Sequence, residues 1–436
     1  MLDLSRHKQL LALALPMILS NISTPLLGLV DTAVIGHLSN AYFLGGVALG
    51  GTIISLMVWL LGFLRMSTTG LVAQAVGAND INSQYRLLMQ GGILALLLGI
   101  GAMLIQAPLT ELALELSQAS AEVSHYCQQY IAIRIYSIPF ALLNLVLLGW
   151  LLGRRSPMAA MWQLIIANAV NIILDIIFVV GLGWQVEGAA WASAIADIAA
   201  FTLACSLVYR QLLKEPDFTP AKLWQGLNLS GLTPLLTLNR DIFIRSLCLQ
   251  ACFSFVTFYG ASQGDIILAA NAVLMNLLML ISYALDGIAY YAEAEVGKAY
   301  GEKDKLKLKQ GVSLAFYWSL AIGLAFSIIF WLFGGHIISL LTDISQVKTT
   351  AEQYLPWLIA LPLLSFACYL FDGVYIGAAK GKVMRNSMIL ASFGVFFPLW
   401  FITQSLGNHG LWLAFSAFML ARSLLLGLDY RFSKDF

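Results

Sequence analysis

Long apolar stretches recur along almost the whole chain and are separated by short polar segments. A bilayer core about 30 Å thick needs about 20 apolar residues for each helical span. Breaks at charges, glycine, proline and asparagine therefore predict twelve spanning helices. Their expected centres are Asn21, Met57, Leu97, Ala141, Asn171, Leu203, Cys252, Ser282, Gly323, Leu364, Val395 and Met419. The first apolar stretch is too long for a signal-peptide core, so we expect it to be retained as span one.

The amino-acid composition agrees with this pattern and narrows the class of protein. Of the 436 residues, 60% are hydrophobic and 11% are charged, whereas soluble domains are about half apolar and about a quarter charged. We therefore expect an all-α integral membrane protein. No basic cluster suggests a nucleic-acid partner, and the five cysteines lack the spacing of a metal site.

Positive charge is concentrated in alternate loops, which orients a chain in a bilayer. The loops after spans two, four, six, eight and ten hold most of it: Arg86, Arg154, Arg155, Arg210, Lys214, Lys222, Arg240, Lys298, Lys303, Lys305, Lys307, Lys309, Lys380, Lys382 and Arg385. The opposite loops hold mainly acids: Glu111, Glu115, Glu122, Glu187, Asp265 and Asp343. Basic loops face the cytoplasm, so we expect both termini to be cytoplasmic.

The two halves of the sequence match at one constant offset, the separation between Gly36 and Gly260. The same offset aligns Gly149 with Gly373 and Gly153 with Gly377. Each half has six spans, an even number, so the expected fold is two six-helix bundles related as parallel repeats. The predicted division is an N-lobe of residues 1–212, a cytoplasmic linker of residues 213–240 and a C-lobe of residues 241–436. Paired bundles around a central cavity suit transport by alternating access.

Polar and ionisable residues of the first half form one predicted cluster. A charged side chain at mid-bilayer costs about 2.5–3.5 kcal/mol, so it usually has a function. Asp31 lies toward the outer end of span one, Asn168, Asn171 and Asp175 share one face of span five, and Ser193 lies on span six. Their oxygens suit a proton or Na⁺. The alternative is that these side chains only hydrogen-bond the helices together.

The second half carries a different set of acids. Its position equivalent to Asp31 is Phe255, but Asp286 and Glu293 share one face of span eight and Asp372 lies on span ten. These acids, with Asn168 and Tyr369, are candidates for a cavity that attracts a cationic substrate. Ordinary helix packing is the alternative. Two basic residues, Arg65 in span two and Arg134 in span four, are candidates to pair with acids in a structural role.

Several kinds of chemistry are missing from the sequence. It contains no phosphate-binding P-loop, no dinucleotide glycine motif and no HExxH metalloprotease motif. No nucleophile–base set of a membrane enzyme is recognisable either. We therefore expect a protein that is not an enzyme, needs no cofactor and draws energy from an ion gradient.

Five short motifs, in this order and spacing, resemble the multidrug and toxic compound extrusion (MATE) family, and most closely its bacterial DinF-like branch. They are Leu15-Pro-Met-Ile-Leu-Ser-Asn21, Val30-Asp-Thr-Ala-Val-Ile-Gly-His-Leu38, Gly62-Phe-Leu-Arg-Met-Ser-Thr-Thr-Gly-Leu-Val-Ala-Gln74, Asn171-Ile-Ile-Leu-Asp175 and Glu187-Gly-Ala-Ala-Trp-Ala-Ser193. The resemblance covers essentially the full length. It implies twelve helices in two lobes and a bacterial inner membrane location.

The resemblance also implies roles for particular residues. Asp31 matches the acid of helix one that takes up the coupling ion, with Asn171, Asp175 and Ser193 as its partners. Pro16 matches the proline at which helix one bends. Some family members have a second cation site in the C-lobe, built from acids of helices seven and ten. Asp372 matches the latter acid, but span seven, around Cys248 to Gly260, contains no carboxylate, which favours a proton over Na⁺.

The expected function is therefore an antiporter that exchanges H⁺, or else Na⁺, for amphipathic organic cations. The expected partners are small organic molecules and the lipid bilayer, and nothing demands more than a monomer. Three alternatives stay open: a lipid-linked oligosaccharide flippase of the same superfamily, a membrane enzyme acting on lipid, and a passive channel.

Overall fold

The computed structural model describes residues 4–36, 41–117, 120–216, 218–225, 227, 231–433 and 436. Side chains 26–33, 35, 36, 41 and 116 also lie outside the description. The α-helices are α1 (Leu4–Gly36), α2 (Ala41–Leu60), α3 (Phe63–Gly77), α4 (Ile81–Ser117), α5 (Ala121–Arg134), α6 (Ile138–Gly153), α7 (Pro157–Asp175), α8 (Gln185–Leu212), α9 (Pro220–Gln225), α10 (Leu232–Ser262), α11 (Asp265–Gly301), α12 (Lys305–Leu341), α13 (Ser345–Gly377), α14 (Gly381–Ile389), α15 (Phe397–Ile402) and α16 (Asn408–Phe432). The described residues contain no β-strand.

Eleven helical segments of the described chain are long and apolar enough to cross a membrane. They are Tyr42–Gly77, Ile81–Glu115, Ala121–Gly153, Pro157–Gly181, Gln185–Leu212, Leu232–Ser262, Asp265–Gly301, Lys305–Leu341, Ser345–Gly377, Gly381–Ile402 and Asn408–Phe432. The 33-residue helix α1 precedes them. Each predicted centre lies inside one of these twelve segments, so the all-α membrane fold is confirmed and the protein is a multi-pass membrane protein.

Three of the spanning segments change helix type within their length. A 3₁₀ turn, Ile135–Ser137, joins α5 to α6. A π-helical stretch, Ile176–Gly181, follows α7, and another, Leu390–Phe396, joins α14 to α15. Such irregular turns inside helices are frequent at functional sites and hinges. Sequence periodicity did not predict them.

The chain forms two compact units, Leu19–Thr233 and Pro234–Phe436 with Met1–Ile18. We call them the N-terminal unit and the C-terminal unit. Helix α1 passes from one to the other between Ile18 and Leu19. Its first part packs within the C-terminal unit, where a Cβ on Gly287 would collide with the Ile18 side chain. The lobe boundaries drawn from the sequence at residues 212 and 241 stay a prediction.

The repeat is visible in the backbone of the turns. Positive φ angles occur at Asn79 (54°) and Lys303 (59°), and again at Arg155 (56°) and Ala379 (55°). Gly183 (71°) and Gly407 (57°) form a third pair. Every pair keeps the constant offset seen in the sequence. Left-handed conformations are uncommon for residues other than glycine, so chance does not explain three matched positions.

In both units, the residue that follows the first of these positive-φ positions is an aspartate that caps the next helix. Asp80 accepts a hydrogen bond from the Ser83 amide at 3.0 Å, and Asp304 accepts one from the Lys307 amide at 3.0 Å. Each carboxylate satisfies a backbone amide that the first turn of the following helix leaves open. The hydrogen bonds from Ser83 lower the pKa of Asp80.

Close helix packing repeats as well. A Cβ on Gly149 would lie 2.5 Å from the Arg65 carbonyl oxygen, and one on Gly373 would lie 2.5 Å from the Ala289 carbonyl oxygen. The two partners, Arg65 and Ala289, are related by the same offset as the glycines. Small residues let membrane helices approach this closely. The spans that carry them therefore pack in the same way in both units, which confirms the repeated halves.

Candidate functional site

The buried side of α7 is largely polar, although the helix crosses the membrane. Its buried residues are Ala160, Met161, Gln163, Asn171 and Asp175. Asn171 and Asp175 are one turn apart and share one face, whereas Gln163 lies eight residues before Asn171 and is rotated from it by about 80° around the helix axis. From Gln163 to Asp175 the helix rises about 18 Å, more than half of a bilayer core. The N-terminal unit therefore contains a polar stripe along most of span five.

Two hydrogen bonds tie this stripe to neighbouring helices. Asn171 Nδ2 donates to Ser193 Oγ of α8 at 3.0 Å. Asn168 Nδ2 donates to Ser23 Oγ of α1 at 2.7 Å. Asp175 lies one turn beyond Asn171 and is 1% exposed. The structure thus brings Asn171 and Ser193 together, as predicted, and adds Ser23 as the partner of Asn168.

Two other predicted residues lie on α1. The backbone of Asp31 belongs to α1, but its side chain lies outside the described residues. Pro16 is buried, two residues before the point where α1 passes to the N-terminal unit. The roles of both residues stay predictions.

A half-buried ion pair joins α5 and α8 in the N-terminal unit. Arg134 Nη1 donates to Asp197 Oδ2 at 2.5 Å, and Ser137 Oγ lies 2.9 Å from the same oxygen. Arg134 directly precedes the 3₁₀ turn between α5 and α6, and Ser137 is the last residue of that turn. Arg134 therefore pairs with an acid, as the sequence suggested. Arg65, the other candidate, is 8% exposed.

The C-terminal unit holds its own buried acid on α13. Asp372 Oδ2 accepts a hydrogen bond from Arg422 of α16 at 2.9 Å and another from Arg245 of α10. Asp372 is 8% exposed, Arg245 6% and Arg422 2%. Two guanidinium groups thus neutralise one carboxylate in a place with little water. Both guanidinium groups bind the same oxygen, Oδ2, so this atom is already occupied by two donors.

The remaining candidates of the second half are divided between α11 and α13. Tyr369 Oη lies 2.5 Å from Ser282 Oγ of α11. On α11, Asp286 is half-buried and Glu293 is 2% exposed. The structure therefore places these residues in one unit on adjoining helices. A shared substrate cavity for them stays a prediction.

Sequence reasoning overlooked three charged residues of the C-terminal unit. Helix α10 begins earlier than the predicted span and includes Asp241, which binds Arg385 of α14 at 2.7 Å and Arg240 at 3.1 Å. Arg245 and Arg422, the partners of Asp372, were also passed over. The signal was present, since each lies beside apolar residues of a spanning helix. The predicted span seven began near Cys248, which left Asp241 and Arg245 outside it.

The described residues contain no group of three or more histidine, cysteine, aspartate or glutamate side chains placed to hold a metal ion. All five cysteines are free, and four of them are buried. The chemistry within reach of the polar stripe is accordingly that of carboxylates, amides and hydroxyls, which suits proton or hard-cation binding.

Comparison with known proteins gives the family. The MatE family model matches residues 16–177 and 242–402. DNA damage-inducible protein F of Escherichia coli (strain K12) is 46% identical over 431 residues, which cover 98% of this chain and 92% of that protein. Multidrug export protein MepA of Staphylococcus haemolyticus (strain JCSC1435) is 22% identical over 410 residues, 92% of this chain and 88% of that protein. The chain belongs to the MatE family, and the predicted resemblance is confirmed.

A solved structure agrees at the level of the fold. The crystal structure of MATE in the straight conformation matches with a TM-score of 0.87 and covers 97% of this chain and 95% of that one. Its sequence identity is 21%, so the likeness concerns the arrangement of helices. It supports the twelve-helix fold described above.

Proposed function

We propose that this protein is a secondary antiporter that expels amphipathic organic cations in exchange for protons taken up by the N-terminal unit. Membership of the MatE family supports the transport class. The names of its relatives, which include a multidrug export protein, support foreign organic compounds as substrates. It catalyses no covalent reaction and uses no cofactor.

One observation carries the choice of coupling site: α7 buries three polar side chains, Gln163, Asn171 and Asp175, within about 18 Å of its length. Keeping Asn171 and Asp175 inside the membrane costs free energy that packing alone does not repay. A carboxylate beside amide and hydroxyl groups is able to bind a proton and release it when its surroundings change. Asp175, together with Asp31 on α1, is the proposed proton carrier, with Asn171 and Ser193 orienting it.

The choice of a proton over Na⁺ rests on the C-terminal unit. A second cation site there needs an available carboxylate, but Asp372 is bound by Arg245 and Arg422. The acid of α10, Asp241, is bound by Arg240 and Arg385. Coupling is therefore assigned to the N-terminal unit. Movement of α1 near Pro16 is the proposed consequence of protonation.

The proposed location is the inner membrane of a bacterium, with both termini in the cytoplasm. Lys and Arg lie mainly in alternate loops, and the loops on the other side carry acids. A single chain carries both repeats, so a monomer is the proposed working unit. Outward transport is then movement away from the side with the basic loops.

The test is transport in proteoliposomes of purified protein with a fluorescent organic cation. An imposed pH gradient and an imposed Na⁺ gradient are compared for the wild type, Asp31→Asn and Asp175→Asn. Uptake driven by the pH gradient and lost in both variants is expected. Asp343→Asn, which alters an exposed acid of a loop, is the matched control and keeps wild-type uptake. Uptake by the wild type under neither gradient would falsify the proposal.

A lipid-linked oligosaccharide flippase is the second candidate, and one observation favours it. Arg245 and Arg422 place two guanidinium groups at membrane depth, and guanidinium is a good partner for phosphate. Both groups donate to Asp372, however, which leaves less positive charge for a pyrophosphate. Transport of a lipid-linked sugar by the reconstituted protein, without any gradient, would favour this candidate.

A further inference from the structure

The Arg134–Asp197 pair is connected to the polar stripe of α7 through α8. We call the stripe and these connected residues of α8 the polar column. Asp197 is one turn from Ser193 on α8, and Ser193 accepts the hydrogen bond of Asn171. On the far side, Asn144 Nδ2 donates to the Asp197 carbonyl oxygen at 2.9 Å. Gln163 Nε2 donates to Asn144 Oδ1 at 3.1 Å. Hydrogen bonds therefore connect the Arg134–Asp197 pair to α6 through Asn144 and, through Gln163, to α7.

The separation between Asp175 and Asp197 follows from helix geometry. Helices α7 and α8 are consecutive, pack together and run in opposite directions, and the Asn171–Ser193 bond fixes their relative level. Asp175 lies one turn from that level in one direction and Asp197 one turn in the other. Eight residues of rise give an axial distance of about 12 Å.

At that distance, an uncompensated charge at Arg134 or Asp197 changes the proton affinity of Asp175. Two unit charges about 12 Å apart, the smallest separation that this axial distance allows, interact in a medium of effective dielectric constant about 20 by roughly the equivalent of one pH unit in proton affinity. The lateral offset between the helices makes the effect somewhat smaller. While Arg134 and Asp197 are paired, their opposite charges nearly cancel at Asp175. Removal of either partner leaves the other charge uncompensated.

We propose that the Arg134–Asp197 pair is a positioning element that sets the pH at which Asp175 takes up the transported proton. The pair does this by holding the N-terminal unit electrically neutral at the level of the 3₁₀ turn. This inference rests on the proposed proton coupling and adds two residues to it.

Other charged groups around the column are less able to have this effect. On the helices packed against α7 and α8, Glu122, His125, Glu187 and Arg210 are exposed near helix ends, where solvent and salt screen them. Tyr130 lies one turn from Arg134 and is neutral at physiological pH. Asp31, on α1, is part of the proposed carrier itself.

The experiment measures the pH profile of gradient-driven uptake for Asp197→Asn, for Arg134→Gln and for the double variant. Asp197→Asn leaves a positive charge that favours the Asp175 carboxylate, so half-maximal uptake moves to lower pH by about one unit. Arg134→Gln leaves a negative charge and moves it to higher pH by a similar amount. The double variant returns to within a few tenths of the wild-type midpoint. A purely structural role gives no opposite shifts.

The matched controls remove a distant ion pair of the same unit. Arg154 binds Glu215, which follows the C-terminal end of α8. That end of the helix is about 28 Å from Ser193. Arg154→Gln and Glu215→Gln are expected to leave the midpoint unchanged. If Asp197→Asn does not yield folded protein, Arg134→Gln against the double variant still decides, because only the first is expected to shift.

The outcomes separate this inference from the proposed function. A wild type without pH-driven uptake overturns the proton coupling on which the inference rests. A wild type with pH-driven uptake, whose two single variants shift the midpoint in the same direction or not at all, overturns the role of the pair alone.

Discussion

Asp175 of the N-terminal unit and Asp372 of the C-terminal unit are both buried acids on membrane-spanning helices, but their surroundings differ. Asp175 shares its helix face with Asn171, one turn away. Asp372 accepts hydrogen bonds from two arginines on two other helices. The first setting suits a group that gains and loses a proton. The second suits a fixed charge that joins three helices.

The difference is informative because the two units share a scaffold. Turns with positive φ, aspartate caps and glycine contacts recur at the offset of the sequence repeat. The ion pairs join equivalent spans but do not recur residue by residue: Arg134 and Asp197 join α5 and α8, whereas Asp372 and Arg422 join α13 and α16 at other positions. The repeat thus determines the packing, and side chains placed on it give each unit its chemistry.

The largest expected difference is in stability. Asp372→Asn leaves two buried guanidinium groups short of a partner, and breaking a buried ion pair costs about 3–5 kcal/mol. Asp175→Asn replaces a carboxyl by an amide beside other amides and is expected to cost less than about 1.5 kcal/mol. Thermal unfolding of both variants in detergent checks this. Equal losses of stability in the two would remove the contrast between the units.

A smaller loss of stability, equal in the two units, is expected at the repeated glycine contacts. Gly149→Ala and Gly373→Ala each place a methyl group against a backbone carbonyl oxygen. Overpacking of this kind costs about 1–3 kcal/mol. The two variants should therefore lose similar stability, measured by thermal unfolding under one condition. Full tolerance at one glycine, with a large loss at the other, would show that the repeat does not extend to this contact.

The smallest effect concerns the cap at Asp80. Its pKa is lowered by hydrogen bonds from Ser83. The charged carboxylate therefore stabilises the folded state at pH values above 3.8, the ordinary pKa of an aspartate. That contribution is lost as the pH falls below this value through the lowered folded pKa. Because Asp80 is exposed, we expect Asp80→Ala to cost about 0.5 kcal/mol at pH 7.

The same variant should show little difference from the wild type near pH 3. Unfolding of the two proteins at both pH values checks the prediction. A difference that persists unchanged at the lower pH would mean that the carboxylate charge is not what stabilises this turn.

The sequence was sufficient for the fold because its signals are local. Apolar stretches of bilayer length locate the spans, and the fixed offset between Gly149 and Gly373 reveals the repeat. The shared face of Asn171 and Asp175 follows from helical periodicity alone. Asn171 and Ser193 were grouped because both are polar residues of spanning helices and both match partners of the coupling acid in the family resemblance.

The partners of Asp372 were not predictable in this way. Arg245 and Arg422 lie 127 and 50 residues from it along the chain. Periodicity gives the face of a helix but not the helix that packs against it. The 3₁₀ turn beside Arg134 and the π-helical stretch after Asp175 were missed for a related reason, since tertiary packing rather than local propensity decides them.

The most direct test of the account is proton release on substrate binding by the purified protein. An organic cation is added to protein in weakly buffered detergent solution, and a pH indicator follows the wild type, Asp175→Asn and the loop variant Asp343→Asn. The account predicts that the wild type and Asp343→Asn release protons when the cation binds, and that Asp175→Asn does not. Undiminished release from folded Asp175→Asn would contradict the claim that the polar stripe of the N-terminal unit exchanges protons for substrate.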